Sequence, residues 1–232
     1  MHRSLSFLLA FVLFAAPAWA ATVSDNFDGG TPGASIAGGN WDGGLSYTTQ
    51  NDCTYSSGGN TATTAADGSS CVLTWNANSF ASGQTAQITF NSIGGGGATF
   101  AYPGVLLKAN APATETWYQC KARFGDASAK TRILKTEAGS TTGSTLENSS
   151  GGWSAGDVLK CEFNPADSTV KAYKNGVLIL TFTDGGAALT GSRVGITCIS
   201  DVVAGCDIND FTGGDFAPVA AVMVKRRPIS FQ

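Results

Sequence analysis

The one histidine of the chain is His2, and it stands in an N-terminal stretch that reads as an export signal. Past that stretch no imidazole is left to act as general base, nucleophile partner or zinc ligand. Ser-His-Asp and Cys-His hydrolysis, histidine-ligated zinc chemistry and histidine-based elimination are therefore excluded for the processed chain. Carboxylates are the remaining candidates for acid-base work, and glycoside hydrolysis needs two of them about 5 to 10 Å apart across the scissile bond. On a strand, acids at alternate positions would meet that need, but neither E-x-D-x-E nor E-x-D-x-x-E occurs; Glu137, Asp157 and Glu162 stand singly. Catalysis by a polysaccharide hydrolase or lyase is thus the lesser alternative.

Sugar binding asks for less: aromatic faces for C–H stacking and a few planar polar groups on a rigid surface. Trp117, Gln119, Lys121 and Arg123 alternate with Tyr118, Cys120, Ala122 and Phe124, so they share one face of a strand. Lys171 with Tyr173, and Lys160 with Glu162, hold the same outward positions on two further runs. If these strands lie in one sheet, its solvent face is aromatic and net basic, suited to an acidic or sulfated glycan. Trp41 and Trp153, in glycine-rich surroundings, are either loop-borne stacking residues or the anchors of their loops.

Six cysteines, Cys53, Cys71, Cys120, Cys161, Cys198 and Cys206, include no C-x-x-C spacing, and an even count in an exported chain favours disulfides. Fifteen pairings are possible in principle. Cys53 with Cys71 and Cys198 with Cys206 each bracket a polar segment, which leaves Cys120 with Cys161, both on core-facing positions.

The elements that must position these groups are strands. Residues 71–75, 86–90 and 102–108 have strand character within a Gly-, Ser-, Thr- and Asn-rich first half. In the second half, period-two alternation recurs over 117–124, 157–163 and 169–174, followed by strand-like runs at 177–183, 193–199 and 206–211. Asn175-Gly176 between two of these is the preferred filler of a type I′ hairpin turn. No segment past the signal shows a convincing helical period, so the expected fold is an all-β, two-sheet antiparallel sandwich.

The 232 residues are 43% apolar and 13% charged, enough for one core of ordinary size, and a net charge of -3 has the wrong sign for nucleic-acid binding. Residues 1–20 carry His2 and Arg3, an apolar run and a closing Ala18-Trp19-Ala20, the pattern of a cleaved secretory signal. The organisation expected is signal 1–20, sandwich domain 21–216 and basic tail 217–232, with extracellular or periplasmic localisation and no span in the mature form. The tail joins an apolar stretch at 219–224 to Lys225-Arg226-Arg227, a candidate docking segment for a protein assembly. That makes a structural or adhesive component the second function to weigh. Residues 108–174 hold nine Lys/Arg against seven Asp/Glu, whereas 21–107 hold none against five, so the basic groups are concentrated. Asn148-Ser149-Ser150 has N-glycosylation spacing.

The order of several motifs resembles the concanavalin A-like lectin/glucanase superfamily, and within it the laminin-G-like modules. These motifs are Asp25-Asn26-Phe27-Asp28, the 104–108 strand followed by Trp117-Tyr118, the 156–163 segment, the 170–180 hairpin, the 191–196 strand and Asp207-Ile208-Asn209-Asp210-Phe211. The resemblance covers about residues 22 to 216 and implies a jelly-roll sandwich that holds glycans, with first and last strands adjacent and Phe27 near Phe211. It also implies a structural calcium between the termini, for which Asp25, Asp28, Asp207 and Asp210 would be the acids; no other cofactor is required. Ala172-Tyr173-Lys174-Asn175-Gly176 is similar to the Tyr-Lys-x-Gly signature of jelly-roll alginate lyases, but Gln87-Ile88 is followed by Thr89 where that family requires histidine. The expectation is a secreted carbohydrate-binding module without catalysis.

Overall fold

The computed structural model describes residues 21–31, 34–43, 50–51, 53–56, 61–64, 70–81, 83–93, 101–110, 116–124, 131–138, 140–142, 152–200 and 206–216. The signal segment, the basic tail and the glycosylation triplet fall outside these residues. Among the described residues every regular element is a strand. In chain order they are β1 (Thr22–Asp25), β2 (Trp41–Gly43), β3 (Gln50–Asn51), β4 (Cys53–Tyr55), β5 (Ala62–Thr64), β6 (Ser70–Trp75), β7 (Gln84–Ile93) and β8 (Gly104–Ala109). There follow β9 (Trp117–Ala122), β10 (Thr131–Glu137), β11 (Ser140–Thr142), β12 (Val158–Asn164), β13 (Thr169–Lys174), β14 (Val177–Thr183), β15 (Arg193–Ile199) and β16 (Cys206–Asp215).

Two sheets result. The first runs β14-β13-β12-β7-β16-β5-β4 with β1 also paired to β16; the second runs β11-β10-β9-β8-β15-β6-β2 with β3 also paired to β6. All pairings are antiparallel except β3 with β6. The first and last strands lie side by side, Asp25 opposite Phe211, and Trp41 packs between Phe27 at 6.0 Å and Phe211 at 5.0 Å. The Asn175-Gly176 turn has φ of 50° and 80°, the two positive values that a type I′ turn demands.

Alternation fills the space between the sheets. β12 buries Leu159, Cys161 and Phe163 against Val105, Tyr118, Cys120 and Ile133 of the facing sheet. The cysteines pair as 53–71, 120–161 and 198–206. Each link joins a strand of the first sheet to one of the second: β4 to β6, β12 to β9, β16 to β15. By loop-closure entropy the middle link, spanning 41 residues, is worth about 4 kcal/mol, and the eight-residue link between 198 and 206 about 2.5 kcal/mol.

Several strands, β2 to β5, β10 and β11, were not legible in the sequence, and β10 is the most consequential. β10 carries Arg132 and Lys135 among its apolar residues, and it places Lys135 inward, where its amine meets Asp184 at 2.8 Å and the Ala187 carbonyl at 2.9 Å. Tyr118 donates to the same Asp184 at 2.6 Å and accepts from the Leu189 amide at 3.2 Å. This buried network closes one end of the sandwich.

Candidate functional site

The six residues expected to form one ligand face stand on two. Trp117, Gln119 and Lys121 lie on β9 of the second sheet, with Arg123 just beyond it, whereas Lys171 and Tyr173 lie on β13 of the first. Their outward faces look away from each other across the core, so a single aromatic and basic surface does not form. The second-sheet set is also covered: Trp117 is 5%, Gln119 7% and Lys121 8% exposed. Trp117 packs in a small outer cluster with Val72, Leu106 and Ala109 instead of offering a stacking face. Alternation assigns a residue to a side of the sheet; it does not say whether that side meets water.

Around Lys121 the second sheet gathers charge. The Tyr102 ring has the Lys121 amine at 5.3 Å and the guanidinium groups of Arg123 and Arg132 at 5.5 and 5.7 Å, so one aromatic ring serves three cations. Burial, and then repulsion from Arg132, push the Lys121 amine down to about 8.

The first sheet offers a different surface. Cross-strand register sets Tyr173 opposite Lys160, Lys160 opposite Gln87, Gln87 opposite Thr212 and Thr212 opposite Ser24. Directly paired residues share a face, so these five form one row across β13, β12, β7, β16 and β1. A parallel row is Lys171, Glu162 and Thr85. All of these side chains are half-buried or exposed. The Tyr173 hydroxyl donates to Glu162 at 2.7 Å, Lys160 pairs with the other oxygen of Glu162, and the Lys160 amine lies 5.6 Å from the Tyr173 ring centre. Burial, reinforced by the bond to Glu162, raises the Tyr173 phenol, which therefore stays protonated as a donor.

At the β1 end this row opens into a groove of about 780 Å³ lined by Ser24, Asn26, Gln87, Thr89, Asp210 and Thr212, with Trp75 and Phe211 as its apolar part. The lining, which also includes Asp25 and Asn40, supplies hydroxyls, amides and two carboxylates, groups that donate and accept hydrogen bonds. Sequence reasoning missed Gln87, Thr89 and Thr212 as site residues. Gln87 and Thr89 lie within the expected 86–90 run, but Thr212 lies beyond the expected 206–211 strand, and the long-range pairing that aligns them with Tyr173 has no local signal.

Other expected residues have structural duties. Trp41 donates through Nε1 to Asp25 at 2.7 Å, and Trp153 to Thr131 at 3.2 Å; both rings are buried anchors. Lys174 pairs with Asp157 at 2.9 Å and donates to the Gly152 carbonyl at 2.6 Å, tying the hairpin to the Trp153 loop. Burial would raise the Asp157 carboxyl, but bonds from Asn175, Lys174 and the Ser154 amide outweigh it and hold it below the usual carboxylate value. Glu137 stands apart from both, paired to Lys135 at 3.3 Å.

The four aspartates proposed for calcium do not assemble. Asp25 spends one oxygen on the Phe27 amide and the other on Trp41; Asp28 bonds Asn26; Asp207 accepts from Asn91 and Ser92; Asp210 accepts from Asn209. Among the described residues no group of three or more His, Cys, Asp or Glu could hold a metal ion. Terminal strand pairing brings Asp25 beside the Phe211 position, yet Asp25, Asp28 and Asp210 turn to nearby donors and Asp207 to side chains of β7, so the four do not converge on a terminal calcium.

The fold is the concanavalin A-like jelly roll: all-β, two antiparallel sheets, first and last strands adjacent. No protein-family model matches the chain, and no curated protein matches it in sequence. Among solved structures, the carbohydrate recognition domain of Emp47p is similar with a TM-score of 0.53 at 12% identity, over 84% of this chain and 95% of that one. An endo-1,3-beta-glucanase from Streptomyces sioyaensis is similar with a TM-score of 0.52 at 12% identity, over 89% of this chain and 100% of that one. At that identity the likeness defines the fold.

Proposed function

We propose that the protein is an exported carbohydrate-binding module, without catalysis, that holds its glycan along the outer face of the first sheet. The observation that carries this reading is the five-strand row Tyr173, Lys160, Gln87, Thr212 and Ser24 running into the polar groove. It joins an aromatic ring to a line of hydroxyl and amide groups on a disulfide-linked frame. Two structures of similar fold, a carbohydrate recognition domain and an endo-1,3-beta-glucanase by name, give the fold a precedent for handling sugars. Export is supported by the three disulfides, which persist in oxidising compartments.

The test is retention on immobilised polysaccharides. Tyr173→Ala and Gln87→Ala are expected to fold as the parent does and to lose retention about tenfold, roughly one good polar or stacking contact; undiminished retention of both would remove this face. Product release from the same polysaccharides, abolished by Glu162→Gln, would establish catalysis instead.

A finer reading concerns acidic sugars. Lys160 and Lys171, half-buried on the same first-sheet face, favour a carboxylated or sulfated glycan along that face. Binding of such a glycan would weaken as salt is raised. The assembly reading keeps the basic tail as its element: deleting residues 217–232 would abolish assembly while leaving glycan retention unchanged.

A further inference from the structure

Away from the glycan row, the backbone does something unexpected at Lys108. By alternation after Val105 and Leu107, which face the core, Lys108 should point to the outer side of the second sheet. Instead it adopts a left-handed φ of 54°, and the pairing with β15 slips there: a step of two along β15, from Arg193 to Gly195, matches a step of three along β8, from Ala109 to Leu106. That is a β-bulge, and it re-aims the lysine. Ala109 joins Trp117 on the outer side, whereas the Lys108 amine lies 6.0 Å from the ring centre of Phe163, a core-facing residue of the other sheet.

The distortion is held in place. Gln84, fully buried on the inner face of β7, accepts from the Lys108 amide at 2.6 Å and donates to the Gly191 carbonyl at 3.3 Å. A side chain at Gly191 would meet the Lys108 carbonyl at 2.1 Å, so only glycine permits this close approach. A non-glycine residue with positive φ is strained, and such strain persists only where surrounding structure enforces it.

The result is a lysine 4% exposed at the edge of a pocket of about 390 Å³ lined by Phe80, Lys108, Phe163, Pro165, Ala188 and Leu189. That volume lies within the range of small-ligand sites. Among the described residues no carboxylate, carbonyl or hydroxyl accepts a hydrogen bond from this amine; its one close partner is the Phe163 ring. Asp215 acts on it at longer range, but its oxygens accept the backbone amides of Ala21 and Ala81. Burial depresses the Lys108 amine below the ordinary lysine value, with Asp215 opposing. An ammonium set against an aromatic ring at the mouth of an apolar pocket, with no side-chain acceptor, would gain from an anion seated beside it.

The geometry points to a second binding site, in which this pocket takes a small monocarboxylate with an apolar body, the carboxylate on the Lys108 ammonium and the apolar part against Phe80, Phe163 and Leu189. It is independent of the glycan reading, since no residue is shared with the groove or the row on the first sheet.

The experiment titrates the full chain with hexanoate and with hexanamide, a neutral analogue of similar size, following amide resonances at pH 7. Hexanoate is expected to bind at least tenfold more tightly than hexanamide, with shifts centred on residues 80–81, 108 and 188–190. Lys108→Met should erase the difference between the two, and Ala188→Trp, which fills the pocket, should abolish both. Equal affinity of the parent chain for acid and amide, shifts centred elsewhere, or no response to hexanoate at millimolar concentration would each overturn the proposal. None of these outcomes depends on whether the lysine variant folds.

Discussion

The outer faces of the two sheets are built from the same alternation and meet opposite fates. On β12 and β13 the outward set, Lys160, Glu162, Lys171 and Tyr173, remains half-exposed and runs on through Gln87 and Thr212 to a groove. On β8 and β9 the outward set, Leu106, Trp117, Gln119 and Lys121, is buried. Period two thus fixes which side of a sheet a residue joins, but coverage depends on what packs over that side. An aromatic at an outward position is a ligand-contacting candidate in one case and a structural anchor in the other.

The contrast is sharpest in stability. Trp117→Ala is expected to cost about 4 kcal/mol in denaturant unfolding, because a buried aromatic leaves a cavity among Val72, Leu106 and Ala109. The half-buried Tyr173→Ala on the opposite face should cost no more than about 1.5 kcal/mol, chiefly its bond to Glu162. Equal costs would mean that the two faces are equally covered.

Acid pairs give the next largest effect. Asp184, buried with Lys135 and Tyr118, should lose about 3 kcal/mol on change to Asn, whereas Glu162→Gln, in the more open pair with Lys160, should lose less than about 1 kcal/mol. Burial works to raise the Asp184 carboxyl, but the bonds from Lys135 and Tyr118 prevail and hold it below its ordinary value of 3.8. Its contribution is therefore complete above that value and lost as pH falls through the lower folded-state value. Thermal melts between neutral and strongly acidic pH would show a steeper acid loss in the parent than in Asp184→Asn.

Lys121 tests the covered face from the basic side. Its amine ionises at about 8 when folded against 10.5 when unfolded, so between those values the unfolded chain carries the extra proton and stability rises with pH. The rise is no more than about 3 kcal/mol, and Lys121→Met should flatten it. A parent and variant with parallel pH profiles would place Lys121 in water.

Much of the frame was legible in the sequence. The bounds of β13, β14 and β15 follow from alternation and from Asn175-Gly176, and the cysteine pairs 53–71 and 198–206 follow from the polar segments they bracket, with 120–161 left by elimination. The rest depended on long-range contacts. Nothing local in Leu107-Lys108-Ala109 announces a left-handed residue, because the bulge is enforced by Gln84 and Gly191, distant in sequence. Likewise Gln87 and Tyr173 join one row only through the intervening β12, and Asp25 was bound by Trp41 and the Phe27 amide rather than left to a cation.

The most direct test of the account is hydroxyl-radical footprinting of the parent protein with a polysaccharide that retains it. Binding along the first sheet predicts protection at Tyr173 and along the first-sheet row, with the reactivity of Tyr102 unchanged. Protection at Tyr102 with Tyr173 left reactive would contradict it and move recognition to the second sheet.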